Sequence, residues 1–227
     1  MTAEGRDWVE MAQLRQALYR FFGGGLLPPD RGRVEGILEA ADVLDGAGID
    51  DFAFAVPWHS FTSVLDELPS LEDMSASYGR LFTNGARRAS CPAVESEYTA
   101  PAGAGAALVA VALEREYREL NLELGPTVLH PADHAACELE AMAFLCHREA
   151  HAWDDDATSG VVEVRRAEWR FLHRRLGRWF PTFAGRLRET VPADRFYVAL
   201  VDAADAFVQH DKELIVSLVG ARAARTR

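Results

Sequence analysis

Lysine is almost missing from this chain: Lys212 stands alone against 23 arginines. Arginine takes even positions where a plain surface charge would serve, which points to coding bias. Cysteine is also scarce. Cys91, Cys137 and Cys146 are odd in number and show no C-x-x-C spacing, which argues against a disulfide framework or a zinc site and for a reducing cytoplasm. The longest nearly apolar stretch, residues 100–113, contains Pro101 and two glycines and is too short to span a bilayer. No integral membrane segment is expected. Residues 1–10 lack the basic region and apolar core of a secretory signal. A basic surplus is absent too. The net charge is −11, which disfavours nucleic acid as a partner and suits a cationic one.

What remains is an ordinary globular balance, with 49% hydrophobic and 26% charged residues over 227 positions. That length suits one domain with a sizeable core. Period-two alternation and a βαβ rhythm are both lacking, and the apolar spacing is helical almost throughout. Trp8, Met11, Leu14, Leu18, Phe21 and Phe22 set a first helix. Gly23-Gly24-Gly25 and Pro28-Pro29 are expected to end it. Further helices are expected over residues 33–44, 58–68, 70–82, 103–122, 132–150, 162–177, 180–189 and 194–219. Residues 86–101 read as a long irregular stretch, the kind of loop that often carries function. Residues 154–160 read as an exposed polar loop. The expected fold is a single irregular all-α domain with a core over about residues 7–220 and a frayed Arg-rich tail. Trp58, Phe61, Trp169, Phe171, Trp179, Phe180 and Phe183 are assigned to the core by their spacing. The arginines at 165, 166, 170, 174, 175 and 178 are assigned to a solvated helix face.

One segment gathers most of the chemistry. From His130-Pro131 through Asp133-His134 to Glu138 and Glu140, two histidines and three carboxylates fall within eleven residues. Three readings are open: a metal site, an acid/base site, or a polar cluster at the mouth of a peptide groove. His134 and Glu138 have the spacing of one helix face, as do His147 and His151, but neither pair belongs to H-E-x-x-H. His134 and His147 lie about 20 Å apart along a helix and cannot share an ion. No G-x-S-x-G and no phosphate-binding glycine loop occurs. Pro131 and Asp133 also suit an ordinary helix start.

Several stretches, in order, resemble the TorD/DmsD/NarJ family of redox-enzyme maturation chaperones. Tyr78-Gly79-Arg80-Leu81-Phe82 is similar to the family's Tyr-x-x-Leu-Phe. Cys91-Pro92-Ala93-Val94-Glu95-Ser96-Glu97-Tyr98 resembles its P-x-x-E-S-x-Y segment, with Cys91 a departure. Pro131-Ala132-Asp133-His134, with Glu138-Leu139 and Met142, resembles D-H-x-x-x-E-L-x-x-M. Phe171-Leu172, Trp179-Phe180-Pro181 and Phe196-Tyr197 extend the match, which covers roughly residues 8–215.

The resemblance implies an all-α chaperone without a catalytic centre, metal or cofactor. Its implied partners are the apo form of a molybdoenzyme catalytic subunit and that subunit's twin-arginine signal peptide. It implies that Asp133, His134, Glu138 and Pro131 line the partner-binding region, with Tyr78, Glu95, Ser96 and Tyr98 close by. Asp133, Glu138 and Glu95 are the expected acceptors for the peptide's guanidinium groups, and His134 a neutral group or a pH sensor. The region from Trp58 to Phe61 resembles the type II dimethyl-sulfoxide-reductase branch, whose clients include dehydrogenases and oxyanion reductases. The Arg pairs at 87, 165 and 174 are internal, so the chain is expected to stay in the cytoplasm when its client leaves. A monomer or a helix-swapped dimer is compatible with the family. A helical metal-dependent enzyme using His134 and Glu138, or a plain structural adaptor, are the alternatives.

Overall fold

The computed structural model describes residues 3–83, 91–100, 105–125, 130–154, 158–190 and 194–225. Its regular elements are α1 (Ala3–Gly25), α2 (Arg31–Asp45), a 3-10 turn (Ile49–Asp51), α3 (Ala55–Leu65), α4 (Leu71–Phe82), α5 (Ser96–Thr99), α6 (Gly105–Glu119), α7 (Ala135–Asp154), α8 (Thr158–Arg174), α9 (Leu176–Thr190) and α10 (Arg195–Arg225). The chain is all-α. Among the described residues the only extended pairing is one isolated antiparallel bridge, Val94 with His134.

Local chemistry explains several of these boundaries. The Asp30 carboxylate accepts the Arg33 backbone N–H at 2.9 Å and starts α2, and Gly46 closes it. The Ser70 hydroxyl accepts the Asp73 N–H at 3.1 Å and donates back to the Asp73 carboxylate at 2.7 Å, a reciprocal cap that starts α4. Other boundaries depart from the sequence reading. The three glycines do not stop α1, which runs through Gly25. Thr158, Ser159 and Gly160 belong to α8 rather than to a polar loop, and residues 155–157 of that expected loop lie outside the described residues. So do positions 84–90 and 101–104, which fall in or beside the expected irregular stretch. Asp133 and His134 precede α7 instead of sitting inside it.

Pro181 lies inside α9. It has no N–H, so the Gly177 carbonyl one turn earlier loses its helical donor. The Lys212 ammonium of α10 supplies the replacement at 3.2 Å. A Cβ at position 177 would come within 2.6 Å of the Leu172 carbonyl oxygen, so only glycine allows α8 and α9 to meet this closely.

α1 lies along α7, and α10 closes the other side against α1, α3, α8 and α9. Leu18, Tyr19 and Phe22 of α1, Leu139, Met142 and Cys146 of α7, Phe171 of α8, Phe180 and Phe183 of α9, and Leu200 and Phe207 of α10 share one buried cluster. Trp58, Phe61 and Trp179 are buried as expected. Trp169 departs from that expectation. It is 38% exposed, because α8 turns its Val161, Val164, Phe171 and Leu172 face inward and position 169 falls outside it.

A charged cluster sits in the middle of this apolar interior. Arg15 of α1 donates to Glu149 of α7 at 2.6 Å, to Glu168 of α8 at 2.9 Å, and to Asp211 of α10 at 2.6 and 3.1 Å. The Tyr19 hydroxyl adds a bond to Asp211 at 2.6 Å. Arg165 donates to the other Glu149 oxygen at 2.6 Å, and its guanidinium lies over the rings of Trp8 and Trp153. Two guanidiniums therefore face three carboxylates, all buried. Burial, reinforced by Glu149 and Asp211 against the opposing pull of Arg15, pushes Glu168 up to about 8. Its proton balances the third carboxylate.

Replacing Arg15 with Met should cost about 3–5 kcal/mol, because the carboxylates lose their shared partner in a dry interior. A urea unfolding midpoint measures it. The pH dependence has a definite sign. Glu168 holds its proton to about 8 when folded and releases it near 4.5 when unfolded. Rising pH through that window therefore favours the unfolded chain. Glu168→Gln should flatten the fall in stability between about pH 5 and 8, read from unfolding midpoints at both ends of the window.

Candidate functional site

The residues marked by sequence meet where residues 91–100 dock against the entry to α7. The Glu95 N–H donates to the Asp133 carbonyl at 2.8 Å, and the Ala135 N–H donates to the Ala93 carbonyl at 2.8 Å. The Asp133 carboxylate accepts the Ser96 N–H at 3.1 Å, at the start of α5. Tyr98 donates its hydroxyl to the Pro92 carbonyl at 2.9 Å and stacks on Trp179 of α9 at 5.5 Å. Trp179 in turn gives its indole N–H to both Glu138 oxygens at 3.1 Å. Arg175, between α8 and α9, reaches Glu116 of α6 at 2.7 Å and Glu95 at 3.4 Å. Tyr117 of α6 donates to the Ala132 carbonyl at 2.9 Å. Residues 91–100, α6, α7 and α9 are thereby fastened at one point.

The structure thus brings Glu95, Ser96, Tyr98, Asp133, His134 and Glu138 together. Tyr78 lies apart: its hydroxyl donates to the Leu26 carbonyl at 3.3 Å and its ring packs on Phe82 and Tyr197. Pro131 is exposed beside the cluster. The expected arrangement, with Asp133, Glu138 and Glu95 as open acceptors at a rim, differs from what is observed. All three are buried, and each carboxylate is engaged by the chain's own Ser96 N–H, Trp179 or Arg175. The reason is long-range: these partners come from segments 37 to 80 residues away.

Electrostatics agrees with an interior role. Burial pushes the Glu138 carboxyl well up, and the neighbouring Glu95 charge adds to that. Glu95 is raised by burial and partly restored by Arg175. His134 is held down to about 3 by burial, with His130 adding to the effect. Its ring stays neutral, and Nδ1 accepts the Ala136 N–H at 3.1 Å. That argues against His134 as a pH sensor near neutrality. His134 and Glu138 face different partners, so they do not converge as a ligand pair. Among the described residues no group of three or more His, Cys, Asp or Glu is placed to hold a metal ion.

Open space lies on the other side of the same wall. A groove of about 830 Å³ runs between the end of α1, the start of α2, the segment after α6 and the first turns of α7. Gly23, Gly24, Ala136, Cys137 and Ala141 line it with small side chains, and Leu27, Leu122 and Leu124 add apolar walls. Asp30, Glu123, Glu140, Arg20 and Arg33 provide its charges. The three glycines divide the work. Gly23 lies against Leu139 and Ala136 of α7. Gly25 meets Leu200 of α10 at a distance that a Cβ would reduce to 2.9 Å. Gly24 faces open space. Tyr117 and His130 belong both to this wall and to the clamp, since Tyr117 bonds Ala132 and the His130 ring packs at a tilt against His134 at 4.4 Å. Sequence reasoning took the glycine run for a stop, passed over Asp30 and Glu123, and grouped Glu140 with the Asp133 cluster rather than with a groove. The run itself, next to Leu-Leu-Pro-Pro, was the available signal for a thinned helix surface.

The structure is thus an all-helical scaffold with a buried polar clamp behind an apolar groove. The family model described as nitrate reductase delta subunit matches residues 50–185, and the chain belongs to that family, which is of the TorD/NarJ type. It is 32% identical over 103 residues to the perchlorate reductase assembly chaperone protein of Dechloromonas aromatica, covering 45% of each chain. It therefore spans less than half the length of that relative. It is 29% identical over 153 residues to the selenate reductase assembly chaperone protein of Thauera selenatis, covering 66% of this chain and 77% of the other. Among solved structures, an Archaeoglobus fulgidus protein described as a redox enzyme maturation protein superposes with a TM-score of 0.53 at 19% identity. That match covers 86% of this chain and 93% of the other, and it shows a shared fold.

Two substitutions separate the roles of the clamp residues. Asp133→Ala should cost about 1–3 kcal/mol by leaving the Ser96 N–H unpaired, and limited proteolysis should then cut within residues 91–100. Glu138→Gln should leave the urea midpoint close to that of the parent chain, since the amide oxygen still accepts the Trp179 indole N–H. Glu138→Ala should lower the midpoint because Trp179 loses its partner.

Proposed function

We propose that this chain is a cytoplasmic assembly chaperone for the catalytic subunit of a molybdenum-cofactor oxidoreductase. In this reading it holds the apo-subunit until the cofactor is inserted, and its groove takes the subunit's twin-arginine signal peptide, which prevents premature export. Family membership and the names of the two curated relatives support the chaperone role. Both relatives are named for reductases of oxyanions, which favours a client of that kind and the type II dimethyl-sulfoxide-reductase branch.

The observation that carries the peptide part is the groove itself. It is apolar along its floor, where Gly24 leaves room for a helical or extended apolar stretch. Its rim carries carboxylates. Asp30 is paired with Arg33 at 2.7 Å and Glu140 with Arg20 at 3.5 Å. Arg20 and Glu140 are both 57% exposed, and such surface pairs are worth roughly 0–1 kcal/mol. They exchange readily for an incoming guanidinium, which bonds carboxylates bidentately. Asp133, His134, Glu138, Glu95, Ser96 and Tyr98 serve the partner-binding region from behind, by holding the wall that Tyr117, His130, Ala136 and Cys137 present. Pro131 flanks it in the open, and Tyr78 steadies the end of α1 through Leu26. No catalytic step is assigned to any of these residues. Release follows client folding and cofactor insertion.

Titration calorimetry with the twin-arginine signal peptide of the molybdoenzyme encoded nearest this gene tests the reading. Binding at micromolar affinity or tighter is expected, weakened when the peptide's two arginines become alanine. Gly24→Trp fills the groove from a position whose Cβ meets nothing. It should lower affinity about tenfold or more while the thermal midpoint stays in place. A plain adaptor ignores the peptide, and failure to bind both the peptide and the full-length apo-subunit overturns the proposal.

A further inference from the structure

α8 presents two unlike faces. Arg165, on its inner face, is tied to Glu149, and Arg175, just past its end, is tied to Glu95 and Glu116. On the outer face, Arg166, Arg170 and Arg174 are exposed, and none has an ion-pair partner among the described residues. They are spaced i, i+4, i+8, which sets the charges about 6 Å apart in one row. Trp169 and His173 form a second row beside it, their rings stacked at 4.7 Å. Trp169 is the core residue expected from sequence that the fold leaves outside. Helix-dipole complementarity accounts for Arg174 in the last turn, but not for Arg166 and Arg170 in the body of α8. The chain has 35 acidic residues against 24 basic ones, and this row still stands free of them.

We propose that the outer face of α8, built by Arg166, Arg170 and Arg174 with Trp169, is a second docking surface, for an acidic helical face of the client subunit's mature part. This rests on the chaperone reading above. Carboxylates at i, i+4 and i+8 on a partner helix repeat at the same 6 Å interval and pair with the arginine row, each guanidinium offering two parallel donors. The Trp169 ring supplies the apolar contact between them. The chain as a whole is acidic, so a localised arginine row favours one orientation of the client as well as adding affinity. Nucleic acid fits poorly, since three arginines within an acidic molecule neutralise few phosphates. A lipid surface fits poorly too, since the face carries a single large apolar side chain. The signal peptide and the acidic face then engage separate places, and two modest contacts on one client reinforce each other.

The test uses the full-length chaperone and the apo-subunit of the neighbouring molybdoenzyme, produced without its signal segment. The triple variant Arg166→Glu, Arg170→Glu, Arg174→Glu changes only exposed side chains. It should bind this subunit about tenfold or more weakly at about 50 mM salt, with the gap closing near 500 mM. Trp169→Ser should weaken binding at both salt concentrations. Affinity for the isolated signal peptide should stay unchanged in both variants. Equal subunit affinity for wild type and the triple variant overturns this inference alone, provided the signal peptide binds. Loss of binding to anionic vesicles or single-stranded DNA in the triple variant, with subunit binding intact, overturns it in favour of those partners. Wild type that binds neither titrant overturns the chaperone reading and this inference with it.

Discussion

The Arg15 cluster is the constraint on which the arrangement of the long helices depends. Apolar packing alone leaves amphipathic helices free to slide or rotate by a fraction of a turn at little cost. A guanidinium with fixed donor directions does not. Arg15 meets Glu149, Glu168 and Asp211 at once only when α1, α7, α8 and α10 share one register. Any other register buries carboxylates without a partner, which costs several kcal/mol for each ion. Replacing such a cluster with apolar side chains often costs nothing in stability, so its contribution here is to specify the arrangement. The proton on Glu168 completes the charge balance and links that specification to pH.

With the register set, the other devices follow from how closely the helices approach. Gly23 and Gly25 let α1 lie against α7 and α10, and Gly24, between them, is left facing outward with no side chain. The groove is thus a by-product of close packing: the same run that lets α1 approach its neighbours leaves a bare strip on its open side. The clamp around Asp133 then holds residues 91–100 and α6 in place, and Tyr117 and His130 transmit that position to the groove wall. A change at Asp133 is thus expected to reach the groove wall, although Asp133 does not line it.

Much of this was legible in the sequence, and the misread parts have identifiable causes. Helix type followed from apolar spacing, and the start of α4 from Ser70, because a cap acts over three residues; the four-residue α5 and the Asp30 cap of α2 were not read. The glycine run was misjudged because a propensity argument weighs backbone entropy and takes no account of a neighbouring helix that needs the space. Trp169 was misplaced because it was grouped with the other aromatics, whereas, two residues before Phe171, it turns away from the inner face of α8. Asp133, Glu138 and Glu95 read as an open acidic rim because their partners, Ser96, Trp179 and Arg175, are distant in the chain. No local pattern shows a carboxylate that it will be covered. Lys212 illustrates the same limit: as a lone lysine it looked incidental, and its role depends on a carbonyl that Pro181 frees 31 residues earlier.

These placements bear on what the family resemblance means. The residues that carry it are mostly interior: Tyr78 under Leu26, Glu95, Asp133 and Glu138 in the clamp, and Trp179, Phe180 and Phe196 in the core. A pattern made of such residues reports how the scaffold is built, since each is held by packing or by a specific bond that few other side chains can replace. The groups that line the groove or stand exposed on α8 lie mostly outside the pattern. They are Gly24, Asp30, Glu123 and Glu140 at the groove, and Arg166, Arg170 and Trp169 on α8. On the chaperone reading proposed above, client choice is written in side chains that the scaffold does not constrain. In the proposed reading, such a division would let one helical frame take different clients by changing a few exposed residues while the Arg15 register and the Asp133 clamp stay fixed.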